Sequence, residues 1–327
     1  MRVLVNGRAA RACGDRQIPV DDLVIETTRE FFARRLPELD GKLSIVLNIT
    51  SNPSPGAVLT GASTPDRSVW FAPRCLDDLR ERQVRLSNDT SLGTGWAPEN
   101  RIEAFARTLA DWLSMPGGFA ARHPWCGSDV KVMGYGAEGD SDLVLCVPQK
   151  CEHVPSRAAY AENKQRLLAE CDRLAAESLG NIPVRFRINV RDIPARDELY
   201  LTYTGSSIES GDEGIVGRGN RVTGLITPLR PMNIEGASGK NPVYHVGKLY
   251  NLAAHRLAAR LSEATGGYAE VHLVSATGQR LDRPWRVLIR LAATEPQLDN
   301  VHAVIFEALD GFPALTDEIL ATGMMLS

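Results

Sequence analysis

The sequence has no run approaching the roughly 20 apolar residues that a helix needs to span a bilayer. Its opening, MRVLVNGRAARACGDR, holds too short an apolar stretch for a secretory leader. A cytoplasmic location, with no membrane partner, is the expectation. There is no C-x-x-C pair and no cysteine–histidine spacing suited to zinc: Cys13, Cys75, Cys126, Cys146, Cys151 and Cys171 are scattered. Free thiols in a reducing compartment fit that pattern. An excess of one charge is also missing. The 37 Lys and Arg residues oppose 40 Asp and Glu, for a net charge of −3, so no general field gathers nucleic acid, and any polyanion must be held by a local cluster.

What remains is an ordinary globular composition, 43% apolar over 327 residues, enough for two or three domain-sized units. The hydrophobic period switches repeatedly between two and about 3.6. Residues 2–6 read as a strand, 19–36 as a helix with Asp21 and Asp22 in its first turn, and 42–50 as a strand in which Leu43, Ile45, Leu47 and Ile49 alternate. The Ser-, Pro-, Gly- and Thr-rich stretch 51–68 reads as a long loop. A helix is expected over 99–113, ended by Pro116-Gly117-Gly118, then strands at 129–135 and 142–147 and a long helix at 156–179. Two more strands, 184–190 and 199–203, flank a turn at Pro194; a helix at 246–263 and strands at 270–274 and 285–291 follow, with helices closing the chain. Strand pairs alternating with single helices argue for an α+β protein of repeated sheet-and-helix units rather than a doubly wound parallel sheet. The expected division is 1–84, 85–205 and 206–327, with the units interleaved in space and the first of them incomplete.

Residues 211–251, GDEGIVGRGNRVTGLITPLRPMNIEGASGKNPVYHVGKLYN, follow neither period and combine glycines with cations. Glycines let backbone N–H groups approach phosphate oxygens; Arg218, Arg221, Arg230, Lys240 and Lys248 supply positive charge, and Asp212 is a candidate ligand for a divalent metal. A glycine-rich surface loop with solvated charges is the alternative reading of the same composition. The familiar phosphate loops do not match: Asn241 stands where a Walker A sequence has Ser or Thr, and GRGNRV is not G-x-G-x-x-G.

This segment, with LSNDTSLGTGWAP at 86–98, HPWCGSDVKVMG at 123–134 and the opening VNGRAA and IPVDDL, resembles the archaeal-type S-adenosylmethionine synthetases. The likeness extends over most of the chain and is weaker over 47–85. It implies that family's fold and its reaction: the sulfur of L-methionine attacks C5′ of ATP, the whole triphosphate leaves, and it is hydrolysed to phosphate and diphosphate. It further implies Mg2+ and K+ and a homodimer with sites between subunits. By motif, Lys240, Arg218 and Lys131 correspond to residues acting on the triphosphate, with Asp129 and Lys131 on one strand face. Asp89, Asp129, Arg221, Lys248 and His245 correspond to substrate- or nucleotide-binding positions, and Asp212 to a metal ligand. The family also carries a G-H-P-D segment whose His faces the leaving group and whose Asp holds magnesium. No G-H-P-D occurs in these 327 residues, and His123-Pro124 reads as a helix end instead. The missing contacts are expected from elsewhere in the chain, from a dimer partner or from a second chain. The alternatives are a non-catalytic nucleotide-binding or regulatory subunit, or a specialised paralogue acting on another substrate.

Overall fold

The computed structural model describes residues 1–51, 86–137, 140–208, 221–292 and 298–322. The loop expected at 51–68 lies, but for its first residue, outside them, as do Asp212 and Arg218.

The N-terminal residues form a β-α-β unit. Strand β1 (Arg2–Arg8) runs parallel to β4 (Ser44–Thr50), and helix α1 (Val20–Arg35) crosses between them; a small β2–β3 hairpin (Ala12–Cys13, Arg16–Gln17) precedes the helix. Phe32, Leu36 and Leu39 close against Met1, Val3 and Leu43. Two polar contacts tie the turn after α1 to the next unit: Lys150 Nζ donates to Glu38 Oε1 at 2.5 Å, and Lys42 Nζ to the Tyr203 hydroxyl at 2.8 Å.

A second sheet has the order β6 (Lys131–Ala137), β7 (Asp140–Cys146), β9 (Val184–Ile188), with the first pair antiparallel and the second parallel. Helices α2 (Arg101–Ser114) and α4 (Arg157–Leu179) cover one face, and the short α3 (Phe119–Arg122) adds Phe119 beneath them. The start of α2 is fixed by a capping box: Asn100 Oδ1 accepts from the N–H groups of Ile102 and Glu103 while Glu103 Oε2 accepts from the Asn100 N–H. Ser156 caps α4, and Gly180 ends it at a positive φ of 64°. The strand expected at 199–203 shortens to β10 (Leu201–Thr202), paired with β8 (Gln149–Lys150). Here the Tyr200 N–H goes to the side chains of Tyr160 and Asp192 instead of a ladder, which side-chain periodicity does not reveal.

The third sheet has the order β12 (Arg286–Ala292), β11 (Tyr268–Val274), β5 (Leu92–Ala97), all antiparallel. Residues 92–97 thus join strands that follow them by more than 170 positions, so a linear division at 205 cuts through this sheet. Helix α5 (Val246–Thr265) lies on the sheet, with α6 (Leu298–Asp310) and α7 (Phe312–Thr322) packed on its far side. Alternation does not announce β5, because its inward positions are glycines. A Cβ at Gly93 would lie 2.2 Å from the carbonyl carbon of Tyr250, and one at Gly95 would lie 2.1 Å from that of Ala254. The strand therefore rests directly on the helix backbone.

Replacing Gly95 by Ala is expected to force β5 off α5 and cost about 3 kcal/mol or more, whereas Ala at Gly236, where a Cβ meets nothing within 4 Å, is expected to be near neutral. Urea unfolding of the two variants checks this; equal midpoints would refute the packing argument.

Candidate functional site

The start of α5 gathers the charged residues of the glycine-rich segment. The His245 side chain caps the helix, Nδ1 accepting from the Gly247 N–H at 3.1 Å, and Asn88 Oδ1 accepts from the Val246 N–H at 3.1 Å. The N–H groups of Lys248 and Leu249 go to the His245 carbonyl. All four N–H groups of the first turn are therefore engaged within the chain. An anion here is drawn by the helix dipole and by lysine ammonium groups rather than by bare backbone donors.

Lys240 is one of those lysines. Its Nζ forms an ion pair with Glu235 Oε2, while Glu235 Oε1 accepts from the Ser91 hydroxyl at 2.8 Å. The pair lies over Gly247, where a Cβ would come within 2.6 Å of Glu235 Oε2 and 2.9 Å of Lys240 Nζ. Glycine at the second position of the helix is what lets the pair reach the helix start. The Glu235 carboxyl is held below its usual pKa by Lys240 and Ser91, although burial opposes that shift as its largest single influence. Burial lowers the Lys248 pKa, and burial together with the Lys240 charge lowers that of His245, against opposing pulls from Glu235 and Asp89. Accepting from Gly247 through Nδ1, His245 is assigned as the neutral tautomer with its proton on Nε2.

Asp89 reaches this cluster from the turn before β5. Its Oδ1 accepts from the Thr90 N–H at 2.8 Å, and its carbonyl accepts from the hydroxyls of Ser87 and Ser275, both at 2.7 Å. Behind the cluster lies a narrow cleft lined by Thr94, Trp96, Arg221, Asn233, Asn251 and His255, with Glu235 at its edge. Arg221 Nε is buried and without a hydrogen-bond partner among the described residues. His255 belongs to the wall: Nδ1 accepts from the Trp96 N–H at 3.3 Å, and burial pushes its pKa down to about 4.

The structure thus brings Asp89, Lys240, His245 and Lys248 together and sets Arg221 in the adjoining cleft. Arg230 is engaged elsewhere: its guanidinium grips Glu103 through two bonds of 2.8 and 2.9 Å and stacks between Trp96 and Tyr268. Arg230 is committed to joining α2 to the third sheet and is not a free phosphate ligand. Asp129 and Lys131 stand apart as well. The strand begins at Lys131, not at residue 129; Asp129 Oδ2 instead accepts from the Ser206 hydroxyl at 2.8 Å and the Ser207 N–H at 3.3 Å, and Lys131 lies at the exposed end of β6. Among the described residues no hydrogen bond or ion pair links these two to the α5 cluster. His123 ends α3 and stacks on Phe119, with ring centroids 4.1 Å apart, as a helix-end residue does. Sequence reasoning passed over Glu235, Ser91, Asn233 and Asn251; the available signal for Glu235 was that it is the one acid between Glu213 and Asn251, among cations.

The described residues form an α+β protein of packed sheet-and-helix units, with Lys240 and Lys248 near the first turn of α5. Residues 1–323 match the family described as S-adenosylmethionine synthetase (AdoMet synthetase), and the chain belongs to that family. It is 34% identical to the S-adenosylmethionine synthase of Methanothrix thermoacetophila over 312 residues, 94% of this chain and 73% of that protein. It is 30% identical to the synthase of Methanospirillum hungatei over 325 residues, 97% of this chain and 77% of the relative. The fold is similar to that of an S-adenosylmethionine synthetase structure from Campylobacter jejuni, with a TM-score of 0.56 at 15% identity over 99% of this chain and 75% of the other.

Two expectations follow. Arg230→Lys keeps the charge but loses the two-pronged grip and the stacking, and should lower stability by roughly 1–2 kcal/mol while leaving nucleotide affinity unchanged; a Kd that weakens tenfold would restore Arg230 to the ligand set. His255, with a folded pKa near 4 against a usual value of 6.5, contributes stability that is complete above about pH 6.5 and is lost as pH falls toward 4. His245 adds to the loss in the same direction. For His255 the loss amounts to at most about 3 kcal/mol, and His255→Gln should flatten the fall measured by denaturant unfolding between pH 6.5 and 4.5.

Proposed function

We propose that the chain forms S-adenosylmethionine from ATP and L-methionine, with release of phosphate and diphosphate. The observation that carries this reading is Lys240, poised by Glu235 over Gly247 at the start of α5, inside the segment that resembles the family's central block. The chemistry asks for such a centre. A thioether sulfur is a neutral nucleophile and needs no general base, so the demand falls on alignment and on stabilising a departing polyanion. In this reading Lys240 and Lys248 receive the triphosphate together with Arg218, Asp89 holds the methionine ammonium group, and Arg221 and His245 contact the nucleotide. Asp129 and Lys131 meet the same substrates from the second sheet, as residues on separate units do when a homodimer builds its sites between subunits.

Magnesium and potassium complete the proposal. Among the described residues no three His, Cys, Asp or Glu side chains come together to hold a metal ion, and both Glu235 oxygens are already engaged. In this reading the magnesium ion is bound largely by substrate phosphates with one or two carboxylates, the common arrangement for this cation, and Asp212 is the candidate carboxylate. We take the chain as three units, 1–84, 85–205 and 206–327, with β5 crossing into the last, and as a cytoplasmic protein. Among the described residues no helix is long and apolar enough to cross a membrane.

Purified protein incubated with ATP, L-methionine, Mg2+ and K+ should yield S-adenosylmethionine together with phosphate and diphosphate. Lys240→Ala should lower turnover by about a hundred- to a thousandfold with the fold intact by circular dichroism. Glu235→Gln, by removing the internal competitor for Lys240, should lower the KM for ATP. ATP binding with no sulfonium product would sink the enzymatic reading in favour of a nucleotide-binding subunit.

A further inference from the structure

A second cavity lies far along the chain from the α5 cluster, between α4 and the turns that follow β9. It measures about 330 Å³ and is lined by Leu168, Phe186, Ile188 and Leu199 on its apolar side, with Arg157, Lys164 and its partner Asp192 as charged lining residues. Its size falls in the range of small-molecule sites, roughly 300–1,000 Å³, and an apolar floor with a few placed polar groups is their usual character.

The walls are fixed by a buried polar network. Asn189, at a positive φ of 47°, is pinned to both backbone groups of Val147 and to the Tyr160 hydroxyl. That hydroxyl donates to Asp192 at 2.9 Å, and Asp192 also receives Lys164 at 2.6 Å and the Tyr200 N–H at 3.2 Å. The turns on both sides of the cavity are therefore held before any ligand arrives. Leu168 is nonetheless 38% exposed in this setting.

The spare hydrogen-bond donors select the ligand. Asp192 already accepts from three donors, whereas the Lys164 ammonium has three N–H groups and gives one to Asp192. Arg157 is paired with Asp197, yet its guanidinium carries five donors. Hydrogen-bond donors are in surplus at one end of an apolar trough, with too few cations to hold a phosphate. We propose that this cavity is a binding site for a small monocarboxylate with an aromatic or branched aliphatic body: the carboxylate meets Lys164 and Arg157, and the body lies on Phe186, Ile188 and Leu168. The site is independent of the α5 cluster and does not rest on the synthetase reading.

Titration of the full chain with 3-phenylpropionate, followed by ligand-observed NMR, tests it against 3-phenylpropanol, which has the same body without the charge. Saturable binding of the acid is expected, weakened at least tenfold for the alcohol and in Leu168→Glu, which places a carboxylate in the trough at a partly exposed position the fold should tolerate. Absence of saturable binding up to about 10 mM, which corresponds to less than roughly 3 kcal/mol, would overturn the proposal. So would equal binding of the alcohol, or binding unchanged in Leu168→Glu.

Discussion

The closeness of β5 to α5 is the constraint on which the rest of the third sheet depends. Two glycines spaced two apart along the strand meet the helix backbone at Tyr250 and Ala254, positions four apart along the helix, so the two periods coincide along one line of contact. With no strand side chain at these two positions, the remaining core fills the space beside that line: Leu249, Leu252, Leu257 and Leu261 of the helix with Ala269, Val271 and Leu273 of β11. The Tyr250 ring lies edge-on to Phe312 at 5.7 Å, with its hydroxyl donating to the Leu281 carbonyl. The second sheet uses a milder form of the same device, where Gly134 and Gly136 of β6 admit the Ile102 side chain of α2.

Electrostatics at the helix start follow from that packing. A helix held rigidly against a sheet presents a fixed dipole, and a fixed dipole rewards negative charge only near its first turn. The chain already places Glu235 there, and with it Lys240. The lysine is thereby oriented within the chain, beside an internal anion that the polyanion of the proposed reaction would have to displace or share. Such preorganisation is how a site limits the reorganisation needed during reaction. Burial acts on the neighbouring histidines in the same sense, favouring the neutral form of His245 at the site and of His255 in the wall behind it.

Periodicity revealed the long helices and the alternating strands because each buries one face against a partner. Ile45, Leu47 and Ile49 in β4 show this, as do Leu167, Cys171 and Leu179 in α4. It failed where burial is done by absence: LGTGWA holds no alternation of large side chains, yet it is a strand on the helix-facing side of a sheet. It failed again at residues 199–203, where side chains take the backbone donor. The site was legible as a segment rather than as an arrangement. Lys240, His245 and Lys248 converge because a helix begins at Val246, a local fact; Arg230 departs because Glu103 and two aromatic rings claim it, a tertiary fact that no local pattern carries.

Asn251 joins the packing to the site. From the second turn of α5 its Oδ1 accepts from the Thr94 N–H of β5 at 3.0 Å and from Asn233 Nδ2 at 2.8 Å, while its own Nδ2 donates to the Gly247 carbonyl at 2.9 Å. The partners sit on the glycine-flanked strand, on the loop that carries Glu235 and on the helix start beneath Lys240. Thr94 has a backbone donor to place because its neighbours Gly93 and Gly95 bring the strand so close, and a buried donor left unpaired costs about 1–3 kcal/mol. The same amide that satisfies this donor fixes Asn233, whose Oδ1 in turn accepts from the Glu235 N–H at 2.9 Å. The position of Lys240 is thus set through a chain of three hydrogen-bonded residues by the approach of a strand to a helix, which is why Gly93 and Gly95 bear on a lysine remote from them.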